Sequence, residues 1–287
     1  MTCNPALLTP INADTSAIVV GGGRSGQAAA RLLRRLGATV RLLERNAEKL
    51  PGAASEGVEI LGGEHRREYF LNADILIPSP GAAVSMLRPL LTPGEEPEIM
   101  AETELAWRQL EGEPVLAVTG TSGKTTTISM CAAMLEAQGL NVFLGGNIGT
   151  PLSEYVLARA EGRPRADVLA LELSSFQLQT CTTLRPRVAV LLNISANHLD
   201  YHKDMKEYIE AKMRLFRCQD ASCLAVFGPG PHGLFRSGFR ELSRHAAYRP
   251  AQSRQCRSRL AGMPGIRRDA GKCPPRHAAF QTASASS

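Results

Sequence analysis

The chain has 287 residues, 44% of them apolar and 21% charged, with a formal net charge of +6. That length allows two domains with sizeable cores, and the apolar content is ordinary for a soluble globular protein. No apolar run approaches a membrane span, and the N-terminus, MTCNPALLTPINAD, lacks the basic start and long apolar segment of a secretory signal. Seven scattered cysteines without a CxxC pair suit free thiols in a reducing cytoplasm. The basicity is confined. Residues 228–287 hold 11 of the 33 Lys+Arg and 2 of the 27 Asp+Glu, a balance of +9, so residues 1–227 carry −3. The globular part therefore gives no electrostatic reason to expect nucleic-acid binding.

Taken in order, Ala17–Val20 is an apolar run ending in Gly21-Gly22-Gly23. Gln27 to Leu36 has helical spacing, with Gly37 as a natural stop. Thr39–Leu43 reads as a second strand leading to Glu44, and Val58–Leu61 and Ala73–Ile77 as further strands, the last broken by Pro78-Ser79-Pro80-Gly81. Residues 92–98 read as a surface loop, Glu102–Leu110 as a helix, and 111–114 as a linker. Val115–Val118 opens a second unit. It is a strand followed by a glycine-bracketed turn and a helix that stops near Gly139. Asn141–Leu144, Val168–Leu173 and Val188–Asn193 follow as strands, the last two apolar enough to be buried on both faces, with helices at Leu152–Ala160 and Lys206–Arg217. The β-α-β rhythm predicts parallel sheets. The expected architecture is α/β: a Rossmann-like N-terminal domain over 14–112, a P-loop-type central domain over 113–227 that is incomplete, and an irregular Arg-rich tail over 228–287. Only 8 of the last 60 residues are Leu, Ile, Val, Phe or Met, too few for a core. The tail reads either as a basic arm or as out-of-frame translation of GC-rich DNA. The second is favoured, because the change falls where an α/β domain still needs strands.

The main chemical signal is Gly120-Thr121-Ser122-Gly123-Lys124-Thr125, followed by Thr126 and Thr127. It is shorter than the usual P-loop, whose first glycine position is Val118 here. Its backbone amides can nevertheless approach phosphate oxygens. Lys124 can neutralise phosphate charge, and the Thr125 hydroxyl can ligate Mg²⁺. An ordinary strand–helix turn would not require Lys-Thr after the second glycine. Gly21-x-Gly23-x-x-Gly26 matches the dinucleotide fingerprint, and Glu44 stands where a ribose-binding acid would. Arg24 and Ser25 add a charge and a hydroxyl suited to a pyrophosphate. The loop reads equally as a structural turn, and Glu44 as a solvated strand end. Glu172, in an apolar strand, needs either a metal ion at the loop or a surface salt bridge. His198 and Asp200 follow a buried strand, at an edge that lines the ligand crevice in such sheets. By default His198 is structural, Lys212 a solvated helix lysine and Asn147 a turn residue.

As an ensemble, TGTSGKTTT (119–127), GGNIGTP (145–151), LELSSFQL (171–178), NISANHLDYH (193–202) and EAKMRLF (210–216) resemble, in order and spacing, the Mur ligase family. The early GGGRSGQAAARLL (21–33) and ILIPSPG (75–81) are similar to its D-glutamate-adding branch, and the likeness covers about 14–227. The resemblance implies three domains, binding respectively a UDP-sugar, ATP and the incoming amino acid. It implies ATP-dependent ligation of D-glutamate to UDP-N-acetylmuramoyl-L-alanine through an acyl phosphate, in peptidoglycan synthesis, by a cytoplasmic monomer with no membrane or nucleic-acid partner. By position, Gly120 to Thr127 would bind ATP, with Lys124 stabilising the transferring phosphoryl group. Thr125 and Glu172 would hold one Mg²⁺, and His198 and a carbamylated Lys212 a second. Asn147, Ser174 and His198 would touch the muramoyl substrate, and Ser25, Glu44, Arg45 and Gly81 would line the UDP site. The tail departs from the family: its D-glutamate-holding motifs have no counterpart in 228–287, so the chain is expected to be impaired in ligation. The rivals are another ligase of the superfamily, an NAD-dependent oxidoreductase that would explain 16–44 and not the Lys124 loop, and a non-catalytic nucleotide- or nucleic-acid-binding remnant.

Overall fold

In the computed structural model, residues 8–46, 57–197 and 201–228 are described. Two parallel five-stranded sheets follow one another along the chain. The first contains β1 (Ser16–Val20), β2 (Thr39–Glu44), β3 (Glu59–Gly62), β4 (Ile75–Pro78) and β5 (Glu98–Ile99), in the order β3-β2-β1-β4-β5. β1 is buried on both faces. Ala17 and Val19 join one apolar cluster, Ile18 and Val20 another, which is why its sequence shows no polar alternation. Helix α1 (Arg24–Arg35) follows directly, with Gly23 as its N-cap, and buries Ala28, Ala29, Leu32 and Leu33. Gly37 ends it at φ +103°, a conformation that favours glycine. Strand order reverses between β1 and β4, so the Gly21–Gly26 loop and the Ser79–Gly81 turn face each other across the switch-point crevice.

The second sheet contains β6 (Val115–Thr119), β7 (Val142–Gly146), β8 (Val168–Glu172), β9 (Val188–Leu191) and β10 (Leu224–Phe227), in the order β10-β9-β6-β8-β7. Helix α4 (Lys124–Glu136) leaves the centre of this sheet. Helices α3 (Glu102–Trp107) and α5 (Leu152–Ala160) pack on α1 and on each other, and one apolar cluster runs without a break from Ala17 to Ala225.

Several elements differ from the sequence reading. Helix α1 starts at Arg24, not Gln27, because the glycine loop itself caps it. Within the expected 92–98 loop, Glu98 begins a two-residue edge strand whose amide donates to the Asp74 carbonyl at 2.9 Å. Short helical turns at Val84–Leu87 (α2) and Arg88–Leu90 were not foreseen. The helix expected to reach Arg217 is α7 (Met205–Met213) followed by a 3₁₀ turn, Arg214–Phe216. β10, immediately before Gly228, pairs in parallel register with β9, Leu224 opposite Val188, and supplies a strand the sequence reading omitted. Cys131, Cys181 and Cys223 are free thiols. His198, Asp200 and residues 229–287 lie outside the described residues.

Candidate active site

β6 delivers the chain into the lysine loop. Thr119 is fully buried and donates to the Leu173 carbonyl at 2.8 Å. Gly120 follows at φ +154°, and a Cβ there would lie 3.1 Å from the Leu192 Cβ. Gly123 caps α4 in the left-handed region at φ +79°. Asn193, just past β9, holds the loop between them. Its carbonyl accepts from Thr121 N–H and its side-chain oxygen from Ser122 N–H, both at 3.0 Å, and its amide donates to the Ser122 carbonyl. The Thr121 hydroxyl accepts from Ser195 N–H and shares a 3.0 Å hydrogen bond with Tyr208. The loop is thus fixed from outside, and no side chain caps the amino end of α4. Amides left open there favour an anion.

Two amines converge on one carbonyl. Lys124 Nζ donates to the Gly120 and Thr121 carbonyls at 3.1 Å, and Lys212 Nζ donates to Gly120 at 2.9 Å. Lys212 is buried at 2% exposure, 4.6 Å from the Tyr208 ring centroid. Burial first, and the Lys124 charge second, lower its pKa to about 7. The default of a solvated helix lysine is therefore wrong. Among the described residues no carboxylate pairs with either amine, so the loop offers excess positive charge.

Glu172, at the end of β8, is 2% exposed. Its carboxylate accepts from the Thr125 hydroxyl and from the Asn147 amide, each at 2.7 Å. No Lys or Arg pairs with it among the described residues, so the surface salt bridge is excluded. Asn147 is held on a tight turn: its own N–H donates to the Glu172 carbonyl at 2.8 Å, and Gly146 N–H donates to Thr150 at 3.0 Å. Thr125 and Glu172 are adjacent hard oxygen donors, which suits Mg²⁺. Among the described residues there is no cluster of three His, Cys, Asp or Glu, so such an ion would complete its shell with phosphate and water. The lysine loop, by its open amides and unpaired lysine, fits ATP.

The first sheet holds the other candidate residues. Gly26 admits no side chain, since a Cβ would come within 1.9 Å of the Gly21 carbonyl oxygen. Ser79 donates to that carbonyl at 3.0 Å. Glu44 accepts from Gly22 N–H at 2.7 Å and Asn46 N–H at 3.1 Å, so it is not merely a solvated strand end. Arg45 is exposed nearby, and its charge reinforces the lowering of the His65 pKa, which burial dominates. Gly81 is exposed with open space around it. Ser25 lines a crevice with Ser79, Pro80, Glu102, Phe176 and Tyr201. Arg24 does not face this crevice alone; its guanidinium reaches Glu154 and the Gly149 carbonyl. Ser174 caps the short helix α6 (Ser175–Leu178) in a capping box with Gln177. The neighbouring Ser175 hydroxyl meets His202, which is 1% exposed, at 2.9 Å.

The sequence reading thus finds Lys124, Thr125, Asn147, Glu172 and Lys212, and these converge. It misses Asn193, Tyr208 and Ser79, which shape the loops. Of these, only Asn193 carried a signal, as a polar residue at the end of an apolar strand. Ser25, Glu44, Arg45 and Gly81 gather at the first sheet instead, and Ser174 stands at α6.

The two loops and their sheets define an α/β protein of the P-loop type, with a second, dinucleotide-like glycine loop. Residues 118–228 match the Mur ligase middle domain, and residues 14–60 match an FAD binding domain. The chain is 65% identical over 244 residues to the UDP-N-acetylmuramoylalanine--D-glutamate ligase of Nitratidesulfovibrio vulgaris strain Miyazaki F, covering 82% of this chain and 55% of that protein. It is 60% identical over 268 residues to the protein of that name in strain DP4, covering 91% of this chain and 60% of the relative. The like-named protein of Lawsonia intracellularis is 50% identical over 224 residues, with coverages of 76% and 50%. The chain belongs to the Mur ligase family. It spans little more than half the length of the curated relatives it matches. An alignment covering 91% of the chain also runs past residue 227, into the segment the sequence reading sets apart.

Proposed function

We propose that this sequence serves the ATP-dependent ligation of D-glutamate to UDP-N-acetylmuramoyl-L-alanine, and that its described residues hold the nucleotide sites of that reaction. The observation that carries the reading is the convergence of Lys124, Thr125, Glu172 and Lys212 on one glycine loop. Residues 14–112 would bind the UDP-sugar, with Ser25, Glu44, Arg45 and Gly81 at its nucleotide end. Residues 113–227 would bind ATP through Gly120 to Thr127. Asn147, Ser174 and His198 would orient the muramoyl carboxylate, and Lys124 would draw off charge as the phosphoryl group moves. Magnesium, held by Thr125 and Glu172 and at a second position by His198 and Lys212, would offset phosphate charge. Lys212 suits carbamylation: an amine with a pKa of about 7 is half neutral at neutral pH, and only the neutral amine adds CO₂. The same reading makes the protein a cytoplasmic monomer with no membrane or nucleic-acid partner. No described helix is long and apolar enough to cross a membrane.

Calorimetric titration of the 287-residue chain tests this, with MgADP and with UDP-N-acetylmuramoyl-L-alanine. Because the chain spans only part of its relatives' length, binding is measured rather than turnover. Micromolar binding of both is expected, and MgADP binding is lost in K124A. The likeness of residues 14–60 to an FAD binding domain favours one rival, a flavin or nicotinamide protein. Tight FAD or NADH binding with none of the UDP-sugar would establish that rival instead.

A further inference from the structure

Arg24 is the first residue of α1, next to Ser25 and inside the first glycine loop, yet its contacts are with the second sheet. Its Nε and one terminal nitrogen donate to the two carboxylate oxygens of Glu154, at 3.2 and 3.0 Å. Its other terminal nitrogen donates to the Gly149 carbonyl at 2.7 Å, and the first also reaches the Thr150 hydroxyl at 3.3 Å. All three nitrogens of the planar guanidinium fork thereby donate. What it grips is the far side of the turn that carries Asn147. On the near side, Asn147 holds the Glu172 carboxylate, which in turn holds Thr125 of the lysine loop. A continuous run of hydrogen bonds therefore joins the first glycine loop to the second, through a turn that Gly146 N–H and the Thr150 carbonyl close tightly.

We infer that Arg24 is a positioning residue that couples the two nucleotide sites. Filling the first loop fixes the start of α1, and with it the guanidinium; the fixed guanidinium holds the 145–150 turn, and the turn sets Asn147 and Glu172 for the phosphate end of ATP. This rests on the functional reading above. It adds a role for a residue whose charge would otherwise be assigned to the pyrophosphate.

The test measures MgADP affinity of the full chain with and without saturating UDP-N-acetylmuramoyl-L-alanine, and the converse. In the wild type each ligand tightens the other, by about fivefold and by the same factor in both directions, as linkage requires. R24A and E154Q bring that factor close to one while each ligand alone binds within about twofold of wild type; R24K, which cannot grip both oxygens, falls between. Hydrogen exchange of the unliganded protein adds an independent readout, with amides of residues 145–150 exchanging roughly tenfold faster in R24A and those of β2 unchanged. Binding of both ligands without coupling in the wild type, or coupling that survives R24A, overturns the inference and leaves the functional reading standing. Unchanged exchange at 145–150 also overturns it. Failure of the wild type to bind either ligand sinks both.

Discussion

Lys212→Met gives a direct measure of how far the site's charge is unbalanced. The amine is fully enclosed, with a carbonyl and a tyrosine ring as its contacts and a second lysine nearby. Its pKa falls from 10.5 to about 7, burial being the larger cause. For a base with a lowered folded-state pKa, the unfolded chain holds more protons between pH 7 and 10.5, so stability rises with pH across that window. Below it both states are protonated and the full penalty applies. At about 1.4 kcal/mol per unit, a shift of some 3.5 units makes that penalty on the order of 5 kcal/mol. At pH 7 roughly 4 kcal/mol of it remains, and at pH 9.5 about 1 to 2 kcal/mol. Methionine fills the same space and does not titrate. It forfeits the Gly120 hydrogen bond, about 1 kcal/mol, but removes the buried charge. K212M should therefore be more stable than wild type by about 3 kcal/mol at pH 7, with the advantage shrinking to near zero by pH 9.5. Urea unfolding in CO₂-free buffer, at half-unit pH steps from 6.5 to 9.5, reads both quantities. Parallel stability curves for the two proteins would refute the assignment of a desolvated Lys212. So would a wild type that loses stability relative to K212M as pH rises.

Other outcomes follow from single contacts. Gly26→Ala forces a Cβ to within 1.9 Å of the Gly21 carbonyl, so the first glycine loop must shift; a loss of about 3 kcal/mol or more is expected in urea unfolding. Asn193→Ala keeps the backbone bond to Thr121 but releases Ser122 of the lysine loop at three side-chain hydrogen bonds without removing a proposed ATP contact, and should weaken MgADP by roughly tenfold, seen by calorimetry. Glu104 is buried and accepts from the backbone and hydroxyls of Thr182 and Thr183 as well as from Arg108. Glu104→Ala leaves Arg108 with Glu98 as its one ionic partner among the described residues and should cost about 3–5 kcal/mol, measured as a fall in urea midpoint at unchanged slope.

Where the sequence was legible, one physical rule governed each segment. Parallel strands buried on both faces leave continuous apolar runs, and β1, β6, β8 and β9 were read from them. Lys124 and Thr125 were legible because no structural demand puts Lys-Thr after a turn glycine. The failures have equally local causes. β5 is two residues long and contains Glu98, whose carboxylate is satisfied by Arg108 at 2.6 Å, a pairing invisible at ten residues' separation along the chain. β10 is a four-residue apolar run abutting a glycine- and arginine-rich segment, so composition masked it. Lys212 looked solvated because helical periodicity gives a lysine's position on its helix and says nothing of what packs over it. Its burial comes from Tyr208 one turn earlier and from the lysine loop, more than eighty residues away in sequence.

The charged residues of the two glycine loops were the hardest to read, and for one reason. A charge next to a phosphate-type loop suggests a ligand, but the fold can supply the counter-charge first. Glu44 spends its carboxylate on the Gly22 and Asn46 amides, and Arg24 spends its guanidinium on Glu154 and Gly149. Among the described residues, Lys124 and Lys212 find carbonyls and, for Lys212, the Tyr208 ring, but no carboxylate. The contrast ranks the two loops as anion sites. At the first, a diphosphate would meet an amide already engaged by a carboxylate and an arginine already paired, so recognition there must come largely from contacts to the nucleoside and sugar. At the second, Asn193 engages the Thr121 and Ser122 amides, but no side chain caps the amino end of α4 and, among the described residues, no carboxylate pairs with either lysine, so both remain available to phosphate. Added salt should therefore weaken MgADP binding more steeply than binding of the UDP-sugar; equal salt dependence in paired calorimetric titrations at 50 and 300 mM KCl would contradict that ranking.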